Sequence, residues 1–317
     1  MADPRTPERI LVIKHGAFGD VMQTDGALRD LRAHHDGAEI VVLTTPPYRA
    51  IFERHPSVDR VVTEARAPRW RLDRMVALRS QLRALGVNRV YDLQHSRRTG
   101  AYRRWIFPGL PWSGDTQKRD WLLRLKPQDL PSLERFAVQL GQAGVALHHT
   151  GRPDVSWMAD DVSSLLDAAG VKRPYVMLIP GASAGHPEKR WPHYPALAAA
   201  LWTHGYAVAI APGPDEAGLA ATIPAIDLTA KHGRLSWFEL AGALRKAAFV
   251  VGNDTGPTHL AAHGGTPGLA LFGPHARPEY TGILRDTFQA ITVPDLATLP
   301  PERVLDHVLG RLGTPPL

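Results

Sequence analysis

A chain of 317 residues with 44% hydrophobic and 21% charged side chains can fill one large domain or two ordinary ones, which excludes predominant disorder. The absence of cysteine excludes disulfides, thiolate nucleophiles and cysteine-ligated metals, and it fits a reducing compartment. The net charge of +6 is unevenly spread: residues 60–126 carry 16 Lys/Arg against 5 Asp/Glu. Such a block points to an anionic partner, whether a nucleic acid, a phosphorylated substrate or an acidic membrane surface; a solvated arginine-rich face is the plain alternative. Residues 1–9 have no apolar signal-peptide core, and no apolar run approaches the roughly 20 residues of a membrane span, so a soluble, cytoplasmic protein is expected.

Short apolar runs alternate with amphipathic segments, the rhythm of parallel α/β architecture. In the first half, strands are expected at 10–13, 40–43, 60–62 and 90–93. Helices are expected near 21–34, 48–54, 72–85 and 134–143, the third with Leu72, Met75, Val76, Leu82 and Leu85 on one face. The rhythm restarts with strands at 175–179, 207–211, 225–228, 249–251 and 269–272. Helices near 194–204, 217–221, 237–246 and 257–263 separate them, and a last helix is expected at 301–312. Gly170 and Pro174 punctuate a junction, giving domains 1–170 and 171–317. Two Rossmann-like halves of this kind would hold a ligand in a cleft facing the carboxyl ends of both sheets.

Four turns hold residues suited to chemistry. After strand 10–13 comes Lys14 to Asp20, in which Gly16 and Gly19 permit a tight turn but do not make the G-x-G-x-x-G dinucleotide fingerprint. Asp20 there is either a helix cap or a general base for a hydroxyl. The loop after strand 175–179 supplies amide and hydroxyl donors at Gly181, Ser183 and Gly185. In it Lys189 and Arg190 precede Trp191-Pro192, either as plain surface basics or to neutralise a departing diphosphate. Pro212 to Glu216 ends the next strand, where Asp215 or Glu216 could accept from ribose hydroxyls or simply favour the following helix dipole. Finally, Gly252 and Asn253 are expected to stop strand 249–251. Asp254, Thr255 and Gly256 cap the next helix and Pro257 fits its first turn, forming a cradle for phosphate oxygens or an ordinary strand-to-helix turn. No D-x-D or H-E-x-x-H spacing occurs, so neither a metal nor a cofactor is expected.

Three of these blocks resemble glycosyltransferase family 9, best known for ADP-heptose:lipopolysaccharide heptosyltransferases. They are the strand with Lys14 to Asp20, the Lys189-Arg190-Trp191-Pro192 loop, and Asp254-Thr255-Gly256-Pro257-Thr258-His259 with Leu271-Phe272-Gly273-Pro274 beyond. The resemblance implies a GT-B fold, with two facing Rossmann-like domains, parallel sheets and an interdomain cleft. The first would be the acceptor domain and the second the nucleotide-sugar domain, with the final helix packing back on the first. It implies inverting, metal-independent transfer from ADP-heptose to an anionic lipopolysaccharide inner-core acceptor. By the same resemblance Asp20 is the catalytic base and Lys189 the lysine on the donor diphosphate. Ser183, Arg190, Glu216, Asp254, Thr255, Gly256 and His259 would complete the donor site. The acceptor would meet Lys14, Arg97 and Arg98, and Arg97, Arg98, Arg103 and Arg104, interleaved with Tyr102, Trp105, Ile106 and Phe107, would touch the inner face of the membrane peripherally. The chain departs from the family where hydroxyl residues often precede Gly-Asp, since His15, Gly16, Ala17 and Phe18 stand there.

Two rival readings stay open at this point. One is a GT-B transferase using another nucleotide sugar, or a protein or polysaccharide acceptor. The other is a nucleic-acid-binding protein that uses the basic first half. It is disfavoured, and no nucleic acid partner is expected, because no helix-turn-helix, RRM or KH pattern is present.

Overall fold

The computed structural model describes residues 8–68, 70–114, 130–183, 185–213 and 216–312. Ala184, Pro214, Asp215 and residues 115–126 of the basic stretch lie outside them. The chain divides into two compact units, Met1–Pro153 and Asp154–Leu317.

The first unit runs β1 (Arg9–Ile13), α1 (Phe18–His34), β2 (Glu39–Thr44), α2 (Arg49–Arg54), β3 (Arg60–Thr63), α3 (Leu72–Arg83), β4 (Arg89–Asp92), α4 (Arg97–Trp105), β5 (Trp112–Ser113) and α5 (Ser132–Gln142). Among the described residues its strands pair in parallel in the order β3-β2-β1-β4-β5. Ile10, Leu11, Val12 and Ile13 are wholly buried, as a sheet covered on both faces requires. The order reverses between β1 and β4, and ligands of doubly wound sheets bind beyond the carboxyl ends at such a reversal. Lys14 to Asp20 leaves β1 at that point.

Two expectations for this unit need correction. On α3 the core face is Met75, Leu78 and Leu82, whereas Leu72 is 71% and Val76 59% exposed. A 3-4 spacing keeps the first three in line, and Val76 lies one residue, about 100°, around the helix from Met75. On α4, Tyr102 is buried, as are Ile106 and Phe107 just beyond its end, and all three belong to the core. They cannot form an outward aromatic face; of the interleaved residues only Trp105 joins Arg97, Arg103 and Arg104 at the surface.

The second unit runs α6 (Ser163–Ala169), β6 (Tyr175–Ile179), α7 (Tyr194–Thr203), β7 (Ala207–Ile210), α8 (Ala217–Ala220), β8 (Ile226–Asp227), α9 (Trp237–Lys246), β9 (Phe249–Asn253), α10 (Gly256–His263), β10 (Gly268–Phe272), α11 (Pro278–Thr281), β11 (Phe288–Thr292) and α12 (Pro301–Leu312). Its parallel order, β11-β10-β9-β6-β7-β8, reverses between β6 and β9 in the same way. Gly170, read from the sequence as a domain junction, is the left-handed residue that ends α6 (φ 76°) inside this unit. The final helix was expected against the first half; its buried face, Val304 and Val308, belongs to this unit's core beside α7.

β9 also runs farther than expected. Gly252 and Asn253 continue the strand, because the Asn253 side chain makes the bonds its burial demands. Its Nδ2 donates to the carbonyls of Pro180 (2.8 Å) and Gly181 (3.1 Å), and its Oδ1 accepts from Trp191 N–H and the Tyr194 hydroxyl, both at 3.2 Å.

Candidate functional site

The loop after β6 is anchored by Trp191, whose buried indole donates to the Leu299 carbonyl at 2.9 Å. Burying so large a ring with its one donor satisfied fixes the end of the loop firmly. A short 3₁₀ turn, Pro187–Lys189, then aims Lys189 at the end of β9. Its Nζ donates to Asp254 Oδ2 at 2.8 Å. His259 Nε2 stands 3.5 Å from Asp254 Oδ1, and His275 Nε2 stands 3.4 Å from Oδ2. Burial opposes ionisation of Asp254, but hydrogen bonds and charges from His259 and Lys189 more than offset it, holding the carboxyl well below the ordinary range. Three nitrogen donors from three segments thus converge on one buried carboxylate beside the first turn of α10.

Thr255 is the cap residue of α10, with Gly256 first in the helix. The Thr255 hydroxyl makes no capping bond and lies 3.2 Å from Thr258 Oγ1, so it does not take up the leading amides, which suit an anion. Ser183 is exposed, and its carbonyl accepts from His186 N–H. Arg190 donates from Nη2 to the Ala182 carbonyl at 3.2 Å and so braces its own loop. Glu216 accepts from Gly213 N–H at 2.9 Å, and its carboxylate lies against Gly181, where an added Cβ would come within 1.7 Å of Oε1. A side chain at position 181 would therefore displace the Glu216 carboxylate. Beside Gly213 a cavity of about 570 Å³ opens, lined among others by Ile210, Ile223, Asp227, Thr229 and Arg234.

The first unit presents a second cluster. Gly16 has φ 138°, and a Cβ there would sit 2.7 Å from the Tyr48 ring, so only glycine fits. The His15 and Gly16 N–H groups both donate to Gln94 Oε1, at 2.8 and 3.3 Å, tying this loop to the end of β4. Lys14 is buried; its Nζ donates to the Leu93 carbonyl at 3.2 Å, lies 5.4 Å from the Phe136 ring centre and is 3.8 Å from Asp20 Oδ2. Burial lowers the Lys14 pKa, against the opposing pull of the Asp20 charge. Asp20 lies in the first turn of α1 with 49% of its side chain exposed. Burial, helped by the charges of Arg66, Arg98 and Lys14, pushes His15 down to about 4. Arg97 is exposed, but the Arg98 Nε donates to Glu64 Oε1 (2.8 Å) and the Tyr102 hydroxyl (2.6 Å), which makes Arg98 an internal brace.

The glycosyltransferase family 9 (heptosyltransferase) model matches residues 75–304. The chain belongs to that family. Lipooligosaccharide heptosyltransferase 2 of Haemophilus influenzae is 36% identical over 124 residues, which are 36% of this chain and 35% of that enzyme. The matched stretch thus spans about a third of that relative's length. Among solved structures, a family 9 glycosyltransferase from Veillonella parvula superposes with a TM-score of 0.80 at 19% identity, covering 96% of this chain and 97% of the other. The Escherichia coli ADP-heptose LPS heptosyltransferase II gives 0.72 at 22% identity, covering 96% and 98%. The α/β fold, with its two parallel sheets, is that of the GT-B heptosyltransferases.

Of the residues picked from sequence, the second unit brings together Lys189, Asp254 and His259, with Thr255 and Gly256 adjoining; the first unit brings Lys14 to Asp20. Sequence reasoning missed His275 and Asn253. The signal for His275 was its place directly after Phe272-Gly273-Pro274, just past the carboxyl end of β10. For Asn253 it was a side chain with two donors and an acceptor at the end of a buried strand.

Proposed function

We propose that this chain is an inverting, metal-independent glycosyltransferase that moves a heptose from ADP-heptose to a hydroxyl of an anionic lipopolysaccharide inner-core acceptor at the cytoplasmic face of the membrane. The observation that carries this reading is the convergence of Lys189, His259 and the start of α10 around Asp254, at the strand reversal of the second sheet. The diphosphate would bind there, with the nucleoside in the neighbouring cavity and Glu216 toward the ribose. Asp20 would take the proton from the acceptor hydroxyl. The oxygen then forms its bond to the anomeric carbon as the bond from that carbon to diphosphate breaks. The released electron pair stays on ADP, where Lys189 and the helix amides stabilise it. The surface residues Arg97, Arg103, Arg104 and Trp105 of α4 are the natural contacts for the acceptor's anionic surroundings.

The test is a thermal-shift panel of ADP, ADP-heptose, UDP and UDP-sugars, followed by a transfer assay on purified inner-core acceptor. ADP-specific stabilisation with transfer that Lys189→Ala depresses by about a hundredfold or more is the expected outcome. Stabilisation by UDP species alone would replace the donor. No response to any nucleotide would remove the reading.

A further inference from the structure

His275 is unused by the roles above, yet it faces the same carboxylate as Lys189. It follows β10, and its ring stacks on Phe272 at 6.2 Å with only 12° between planes, which fixes its orientation. The side chain is 11% exposed. Its Nε2 is 3.4 Å from Asp254 Oδ2, and neither ring nitrogen completes a hydrogen bond among the described residues. An imidazole largely shielded from water with both nitrogens unspent is costly unless the site has another state in which they are used.

The charged groups around it set what that state is. Lys189 and Glu188 face it from the turn after β6, and Asp254 from the end of β9. Glu188 is itself occupied by His186 at 2.9 Å. On α10, His259 reaches the other oxygen of the Asp254 carboxylate. In the ligand-free site, then, one carboxylate is faced by a lysine and two imidazoles, and Lys189 takes the oxygen nearest His275 at 2.8 Å. Burial and the Lys189 charge lower the His275 pKa there, while Asp254 pulls the other way. An incoming diphosphate adds two or more negative charges beside the same three donors, more than Asp254 alone can supply, and reverses that balance.

We propose that His275 is a further donor-binding residue, which takes up a proton when a nucleoside diphosphate enters and pairs with its phosphate oxygens. The inference rests on the donor site described under the proposed function, but it concerns diphosphate binding rather than sugar or acceptor. When the glycosidic bond breaks, the protonated ring beside Lys189 offers the leaving phosphate a second cation.

Calorimetric titration of ADP into the full-length protein, in two buffers of different ionisation enthalpy, measures the protons taken up. The range of pH 7 to 8.5 keeps the nucleotide's own phosphate, which titrates near about 6, out of the reading. Wild-type protein is expected to take up a proton fraction on binding and to lose between about threefold and tenfold in ADP affinity per pH unit, tenfold being the limit for one linked proton. His275→Gln, which keeps a donor but cannot titrate, is expected to bind with a flat pH dependence and without that uptake. Absence of uptake in the wild type overturns the proposal, whatever the variant does. So does equal uptake in His275→Gln. Linked uptake that depends on His275, in a protein that transfers no heptose, sustains this inference while removing the proposed function. A wild type that binds neither ADP, UDP nor pyrophosphate removes both.

Discussion

The two units place an aspartate beside a lysine at the same point of the same topology, just past the reversal of a doubly wound sheet, yet the pairs are built in opposite ways. In the first unit the lysine is buried and the aspartate is half in solvent, 3.8 Å away. In the second the aspartate is buried and held at 2.8 Å by a lysine that keeps 22% of its side chain exposed. A group that must exchange a proton with an incoming hydroxyl has to be reachable and loosely held, which suits Asp20. A group that holds cations in place for a diphosphate has to stay ionised and immobile, which suits Asp254. Topology supplies the location, and the depth of each carboxylate separates the tasks proposed for them.

The sharpest way to break this comparison is to remove each aspartate in turn and ask what is lost. Asp20→Asn is expected to lower kcat by about 10² to 10⁴, the usual range for a general base, while leaving ADP affinity and the melting temperature close to wild type. A fall in stability or in ADP binding as large as the fall in rate would mean that Asp20 is structural. Asp254→Ala should behave in reverse. It leaves Lys189 without its acceptor and two histidines without the charge they face, and we expect a loss of about 3 kcal/mol in denaturant unfolding, toward the lower end for a broken buried pair because Lys189 keeps some contact with water. Since Asp254 is ionised in the folded state well below the ordinary carboxylate range, its contribution is present above about pH 4 and is lost as the pH falls further. The variant should therefore show a shallower acid limb than wild type.

Within the first unit the same loop offers a finer comparison, between exposed Asp20 and buried His15. A histidine held down near 4 when folded, against about 6.5 unfolded, contributes stability that is complete above about pH 6.5 and is lost as the pH falls toward 4. The two values set an upper bound of about 3 kcal/mol on this contribution. Thermal unfolding of wild type and His15→Gln between pH 7.5 and 4.5 reads it directly. The variant should lose less stability across that window, and parallel curves would show that His15 does not titrate on unfolding.

Most strands were legible because a strand buried on both faces reads as an unbroken apolar run, as at Ile10 to Ile13 and Tyr175 to Ile179. Phe288–Thr292 was not, since it lies at the sheet edge and is only partly buried, so no such run marks it. Nor was Trp112–Ser113, too short to carry a pattern. The basic helix Arg97–Trp105 was misread in a more instructive way. Local composition mixes arginines with aromatics, but which of them face inward depends on Glu64, a residue 34 positions away that receives both Arg98 and Tyr102. The candidate site divides similarly. Lys14 and Asp254 follow strands directly, and Asp20 and Lys189 lie in the turns after them, so all four could be found by position. His275 meets Asp254 only because β9 and β10 pair side by side, and no local signal carries that.

The smallest expected effect compares two helix caps of the same design. Each unit opens one helix with a reciprocal box: Ser96 with Thr99 in α4, and Ser236 with Glu239 in α9. In both, the serine hydroxyl accepts from the amide three residues on, at 3.2 and 3.1 Å. Loss of such a cap costs about 1 kcal/mol. The surroundings differ, however. The box of α9 is exposed, so water can replace the lost acceptor at Ser236→Ala. That of α4 ends in fully buried Thr99, whose hydroxyl donates to the Ser96 carbonyl at 2.9 Å and lies close to Asp92, a carboxyl that burial pushes up to about 6. There, Ser96→Ala removes the Oγ that meets both the amide and the hydroxyl of Thr99, loosening the helix start beneath the strand end that carries Gln94, and through Gln94 the turn bearing Asp20. We expect Ser236→Ala to lower stability by about 0.5–1 kcal/mol with transfer unchanged, and Ser96→Ala to cost about 1–2 kcal/mol with a measurable fall in kcat. Equal costs and unaltered rates in both would show that the loop after β1 is held by Gln94 alone, independently of the helix beneath it.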